Sequence, residues 1–152
     1  MAQAPRYDGV TADAPFHEAA RRIMRASLAA AFEPLPAVLR GDDTRAVHDM
    51  RVALRRLRSG MATFAVCFPK RRFRAVREQL RRVARRLGAV RDADVQLAAL
   101  RAALGGASAV ERAGIAYAID EIAARRRAAL AAFAIELSQL DREACDAVLT
   151  RE

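Results

Sequence analysis

The sequence predicts an all-α protein, an antiparallel helical bundle of about four main helices with short ones between them. Three observations predict it. The apolar fraction is 53%, much of it Ala and Leu, while glycine and proline number 7 and 5 in 152 residues, a composition that favours helix over sheet. Apolar residues recur at three- and four-residue spacings, the signature of helices with one buried stripe. Prolines punctuate these stretches: Pro34 and Pro36 follow the first and Pro69 the second. The length suits one domain with its own core.

Residues 1–12 mix Pro, Gly, Asp and Thr without periodicity and read as a loose arm; residues 13–152 read as the helical domain. Asp13-Ala14-Pro15 opens the first helix, with Asp13 as cap and Pro15 tolerated in the first turn. It runs to about Phe32, with Phe16, Ile23, Leu28 and Phe32 as core candidates and His17 as a surface histidine. Pro34 and Pro36 break it, and a short turn leads to Gly41. Asp42-Asp43-Thr44 caps a second helix, with acids at its positive end. That helix runs to Phe68 and buries Val47, Met50, Leu54, Leu57, Met61, Phe64 and Phe68 on one arc; Pro69 ends it.

A third helix runs from Lys70 to about Leu87, with Phe73, Val76, Leu80, Val83 and Leu87 as its apolar arc. Gly88 interrupts. A further helix follows to about Leu104 and stops at Gly105-Gly106. Asp92 has two compatible readings: an N-cap for that helix, or an acid that pairs with an arginine and orients it. A long helix spans about Ser108 to Leu137, with Ile115, Ile119, Ile122, Leu130, Phe133 and Leu137 facing the core; Asp141 to Leu149 forms the last. Arg125-Arg126-Arg127 reads as a solvated face offset by Asp120 and Glu121.

Charge is distributed unevenly. The formal net charge is +9, and only Lys70 among 27 basic residues is lysine. Residues 43–91 hold 15 Lys and Arg against three acids, a balance of +12; the rest holds 12 basic and 15 acidic residues, a balance of −3. Positive charge focused in one third of a chain implies a polyanionic partner.

The placement within that third is helical. His48, Arg51, Arg55 and Arg58 share one face of the second helix, a different face from its apolar arc. Arg74, Arg77, Arg81 and Arg85 form a matching stripe on the third, flanked by Arg71, Arg82 and Arg86. A very short connection makes the two helices antiparallel neighbours. If both bury their apolar arcs in one core, the stripes join into a basic wall. Guanidinium is planar, permanently charged and able to donate two parallel hydrogen bonds to phosphate oxygens. Like charges at i,i+4 repel by a few tenths of a kcal/mol per pair, and a surface built only for solubility would mix signs. His48 reads either as an anion contact, whose charged form a bound anion favours, or as a structural hydrogen-bond donor near the helix start.

The spacing of cysteine and histidine offers no metal site. Cys67 reads as a small core residue, and with Cys145 it implies reduced thiols in a cytoplasmic protein. No run of about 18 apolar residues suggests a membrane span, and the N-terminus lacks a signal-peptide pattern. No cofactor is implied.

Two motifs then stand out: Val47-His48-Asp49-Met50-Arg51-Val52-Ala53-Leu54-Arg55-Arg56-Leu57-Arg58, followed by Phe64, and Leu87-Gly88-Ala89-Val90-Arg91-Asp92-Ala93-Asp94-Val95. Their order and separation strongly resemble the CHAD family, the conserved histidine α-helical domain, over roughly residues 14–150. The resemblance implies an all-helical protein that binds inorganic polyphosphate through basic residues around the histidine, in some members at polyphosphate granules and in some fused to a triphosphatase domain. It implies phosphate contacts at His48, Arg51, Arg55, Arg56 and Arg58. It matches Arg81, Arg82, Arg85 and Arg86 to the basic helix before the Leu-Gly motif, and Arg91 and Asp92 to its Arg-Asp pair. Family members usually carry two related bundles. This chain has one motif-bearing helix and about half that length, which suggests an abbreviated member or a homodimer.

Two alternatives remain. Nucleic-acid binding is compatible with the charge, but Phe64, Phe68 and Phe73 are the basic segment's only aromatics, and no DNA-reading motif occurs. A histidine phosphotransfer domain would also show one exposed histidine on a bundle, but needs one or two cations rather than a wall. Phosphoanhydride hydrolysis would want a carboxylate cluster for magnesium. The expectation is a binding protein without turnover.

Overall fold

The computed structural model describes Tyr7 and residues 10–150. Most of the expected N-terminal arm lies outside them. The described residues form six α-helices: α1 (Phe16–Phe32), α2 (Leu35–Arg40), α3 (Thr44–Thr63), α4 (Lys70–Ala103), α5 (Ala109–Ser138) and α6 (Arg142–Thr150). They contain no strand. The all-α bundle expected from the sequence is the fold observed.

Local chemistry sets most of the boundaries. Asp43 caps α3 by accepting a 2.8 Å hydrogen bond from the Ala46 N–H. Ser108 and Glu111 form a reciprocal capping box at the start of α5. Asp141 accepts from the Ala144 N–H at the start of α6, and its own N–H donates to Gln79 on α4. Gly41 ends α2 with φ +85°, a left-handed conformation in which a Cβ would also stand 3.0 Å from Leu130 Cδ2.

One main core joins α1, α3, the first half of α4, the end of α5 and α6. Val47, Met50, Leu54, Leu57 and Met61 are fully buried, and Phe68, Phe73, Val76, Leu80, Val83 and Leu87 join them. The two expected apolar arcs therefore do face one core. Phe64 is only half-buried beside it. α5 runs antiparallel along α4: Arg82 meets Glu136, and Asp94 meets Arg126. A smaller cluster of Ala93, Leu97 and Ile122 holds the far part of this pair.

Five expectations need correction. The stretch from Pro34 to Gly41 is not merely a turn but carries α2. Pro36 lies in its first turn, where the missing N–H has no partner to lose, and Leu35 and Val38 are buried. α3 stops at Thr63, and a 3-10 turn over Ala65–Cys67 leads to Phe68. Phe68 then stacks on Phe73, centroids 4.9 Å apart, across the bend.

On α1 the buried face is Ala20, Met24, Ser27, Ala31 and Phe32, whereas Phe16 is 59% exposed and Ile23 and Leu28 are half-buried. α1 and α3 approach closely where Met24 packs on Gly60: a Cβ on Gly60 would lie 3.1 Å from Met24 Sδ. Gly88 does not interrupt anything. The expected third and fourth helices are one helix of 34 residues, α4, about 50 Å long. Mid-helix glycine costs only ~1 kcal/mol relative to alanine, and Leu87, Val90 and Leu97 continue the buried stripe across it. Asp92 is therefore inside a helix and caps nothing.

Candidate functional site

α3 and α4 meet at the short bend through Phe68-Pro69 and lie side by side. Their apolar arcs point into the core, which turns their arginine stripes outward and toward each other. The result is a groove built of two adjoining clefts. One, of about 540 Å³, is lined by Arg51, Arg55, Arg58, Ser59 and Ala62 from α3 and by Arg77 and Ala84 from α4. The other, of about 360 Å³, is lined by Arg58, Arg74, Arg77, Glu78 and Arg81. Arg58 and Arg77 belong to both clefts, one from each helix, and so make the two spaces continuous. Ser59, Ala62 and Ala84 leave room between the arginine rows; sequence reasoning missed them because small residues carry no charge signal.

The electrostatics are one-sided. Arg51, Arg55, Arg58, Arg74 and Arg77 pair with no carboxylate among the described residues. The three acids of the basic segment are disposed differently. Asp43 caps α3, and Asp49 is half-buried with its carboxylate 3.8 Å from Arg45. Only Glu78 lines the groove, 3.6 Å from Arg81. The arrangement suits an anion that offers many oxygens in series, with guanidinium donors on both sides.

The other expected site residues fall in different places. His48 lies one turn before Arg51, exposed, and its side chain makes no hydrogen bond among the described residues. The structural hydrogen bond offered as its alternative role is not formed among the described residues. Arg56 and Arg85 are exposed but outside the groove lining, and Arg91 is half-buried.

Arg82 and Arg86 turn to the opposite flank of α4. Arg82 Nε donates to Glu136 Oε1 at 2.8 Å, and Arg86 lies 3.8 Å from the other oxygen. Glu136 is 54 residues away from Arg82 in sequence, so no local pattern marks the pair.

Asp92 is exposed and holds no arginine among the described residues. The orienting acid is Asp94, two residues on. It is buried, and Arg126 Nε donates to its Oδ1 at 2.5 Å. Arg126 Nη1 donates to the Gly41 carbonyl at 2.6 Å. Arg126 is thus no part of a solvated face. It ties α4, α5 and the turn leading into α3 together, and so helps fix the two groove walls relative to each other. The signal was present: Asp94 falls on the buried arc of Leu80, Val83 and Leu87, and a carboxylate there requires a partner.

A second cleft, of about 570 Å³, separates α1 from α6. Its Arg25 and Arg142 are matched by Glu33, Glu143 and Asp146, and Arg142 rests over the Phe32 ring, 5.0 Å from its centroid. It lacks the one-sided charge of the α3–α4 groove. No group of three or more His, Cys, Asp or Glu residues forms a metal site among the described residues, and no described helix is long and apolar enough to cross a membrane.

The fold and groove together define a helical-bundle protein with a preformed cationic surface. The family model of the CHAD domain matches residues 22–151, nearly the whole chain, and the protein belongs to that family. No curated protein and no solved structure matches it.

Proposed function

We propose that the α3–α4 groove binds inorganic polyphosphate as a linear chain and does not turn it over. The observation that carries this reading is the convergence of six arginines from two helices on one groove that contains a single carboxylate. Family membership supports it, since CHAD domains generally bind polyphosphate. Binding proceeds by neutralising successive phosphates and releasing their counterions, so affinity falls steeply with salt. One carboxylate is a poor start for holding the magnesium that phosphoanhydride hydrolysis would want. His48, exposed at the α3 end of the arginine row, adds a donor, and a charge when protonated. On the same reading the protein acts in the cytoplasm and at polyphosphate granules, and two copies can pair so that two grooves act on one chain.

Nucleic acid is the competing polyanion. Phe68 and Phe73 are buried against each other and Phe64 is half-buried, so α3 and α4 offer no exposed aromatic platform for bases. A competition titration at about physiological salt, with long-chain polyphosphate against double-stranded DNA at equal phosphate concentration, tests the proposal. The expected result is a preference for polyphosphate above about tenfold, or about 1.4 kcal/mol. Equal or tighter DNA binding overturns it.

A further inference from the structure

Three described glycines touch the packed bundle, and they have different reasons to be there. Gly41 has a left-handed φ of +85°, and a Cβ on it would stand 3.0 Å from Leu130. A Cβ on Gly60 would press on Met24 Sδ at 3.1 Å, tighter than an ordinary contact. Both are explained by the fold. Gly88 is not. Its φ is not positive, it sits inside an unbroken helix, and the one atom near its missing Cβ is Arg51 Nη1 at 3.8 Å, ordinary van der Waals distance. Alanine would fit, and in a helix interior it would be favoured by about 1 kcal/mol. Neither conformation nor packing within this protein calls for glycine at 88.

The remaining physical use of a helical glycine is close approach of something else to the backbone. The position supplies the candidate. Gly88 is one turn beyond Ala84 on the groove side of α4, and the guanidinium above it belongs to Arg51, which lines the groove. The Arg51 guanidinium therefore lies beside the Gly88 backbone, within reach of the same groove space. The geometry points to Gly88 as a ligand-contact position: it leaves open the space in which a phosphate group held by Arg51 rests against the α4 backbone. Such a site takes a phosphoryl group of a chain running on along Ala84 and Arg77, and a methyl group at 88 would lift that group away from Arg51. The inference rests on the polyphosphate reading of the groove and adds to it a residue without charge.

The test measures long-chain polyphosphate binding by titration calorimetry, and melting temperature, for the wild type, Gly88→Ala, Gly60→Ala and the Arg51→Ala/Arg55→Ala double variant. The expected result for Gly88→Ala is a melting temperature equal to or above the wild type's, with affinity several-fold weaker. Gly60→Ala should do the reverse, melting lower while its folded fraction binds as the wild type does. If the double variant loses affinity and Gly88→Ala binds like the wild type, the inference fails and the polyphosphate reading stands. If Gly88→Ala melts lower, the glycine serves the fold and the inference fails. If the wild type does not bind polyphosphate, both fail together.

Discussion

The two flanks of α4 use the same side chain in opposite ways. On the flank facing α3, Arg74 and Arg77 look across at Arg51, Arg55 and Arg58, and none of the five has a carboxylate partner among the described residues. On the flank facing α5, Arg82 and Arg86 share Glu136, and farther along Arg126 closes on Asp94. Charge density alone does not separate the flanks; the presence of acids does. Paired arginines join helices, and their energetic role is complete in the free protein. Unpaired arginines at close quarters repel, and only an external anion balances them.

Breaking the buried pair should produce the largest change. Asp94 is almost fully buried and Arg126 nearly so. Removing one partner leaves the other's charge buried, which destabilises by ~3–5 kcal/mol. Asp94→Ala should accordingly shift urea unfolding to far lower midpoints, while whatever fraction stays folded binds polyphosphate normally. Full stability in this variant would mean that the pair is not a joint of the fold.

Next comes a contrast between the flanks. Arg51→Ala with Arg55→Ala should leave stability within ~0.5 kcal/mol of the wild type. It should also cut affinity sharply and reduce the slope of log affinity against log salt by about two, one for each guanidinium that no longer neutralises a phosphate. Arg82→Ala with Arg86→Ala should change that slope by less and lower the melting temperature slightly. Equal slope changes from the two double variants would erase the distinction between flanks.

The smallest effect concerns Cys145, buried where α6 meets the core. Burial, helped by the nearby Asp141, pushes its thiol from the ordinary 9.0 up to about 11. The unfolded chain therefore loses this proton at lower pH than the folded one does. The associated stability is fully present below pH 9 and declines as pH rises toward 11. In thermal melts across that window Cys145→Ala should show a shallower decline than the wild type; parallel declines would remove Cys145 as the cause.

The helices were legible because their ends are chemically marked: Pro69 separates α3 from α4, Asp43 caps α3 and Ser108 caps α5. The groove was legible because the core restricts rotation. Once Leu54 and Leu57 point inward, Arg51, Arg55 and Arg58 must point out, and the same holds for Leu80 against Arg77 and Arg81. What sequence could not supply were partners distant in the chain. Arg82 and Arg86 share a helix with the groove residues but lie on another side, and their destination depends on Glu136. Arg126 sits in a run of three arginines that looks uniformly solvated until α5 is laid against Asp94. Gly88 misled in the opposite direction, since a residue that often stops helices is weaker than the stripe of buried side chains passing through it.

The five guanidinium groups without a carboxylate partner among the described residues also give the free protein a built-in tension. Packing holds like charges together that would otherwise spread apart, a repulsion that the proposed polyphosphate ligand would relieve. Simple salt acts on both sides of that balance. By screening the arginines from one another it relaxes the empty groove and stabilises the free protein. By competing for the same charges it loosens the grip on a polymer. On the proposed reading, one ionic strength therefore cannot favour both the sturdiest empty state and the tightest polyphosphate complex, and the protein would be most responsive to that ligand where it is least comfortable alone.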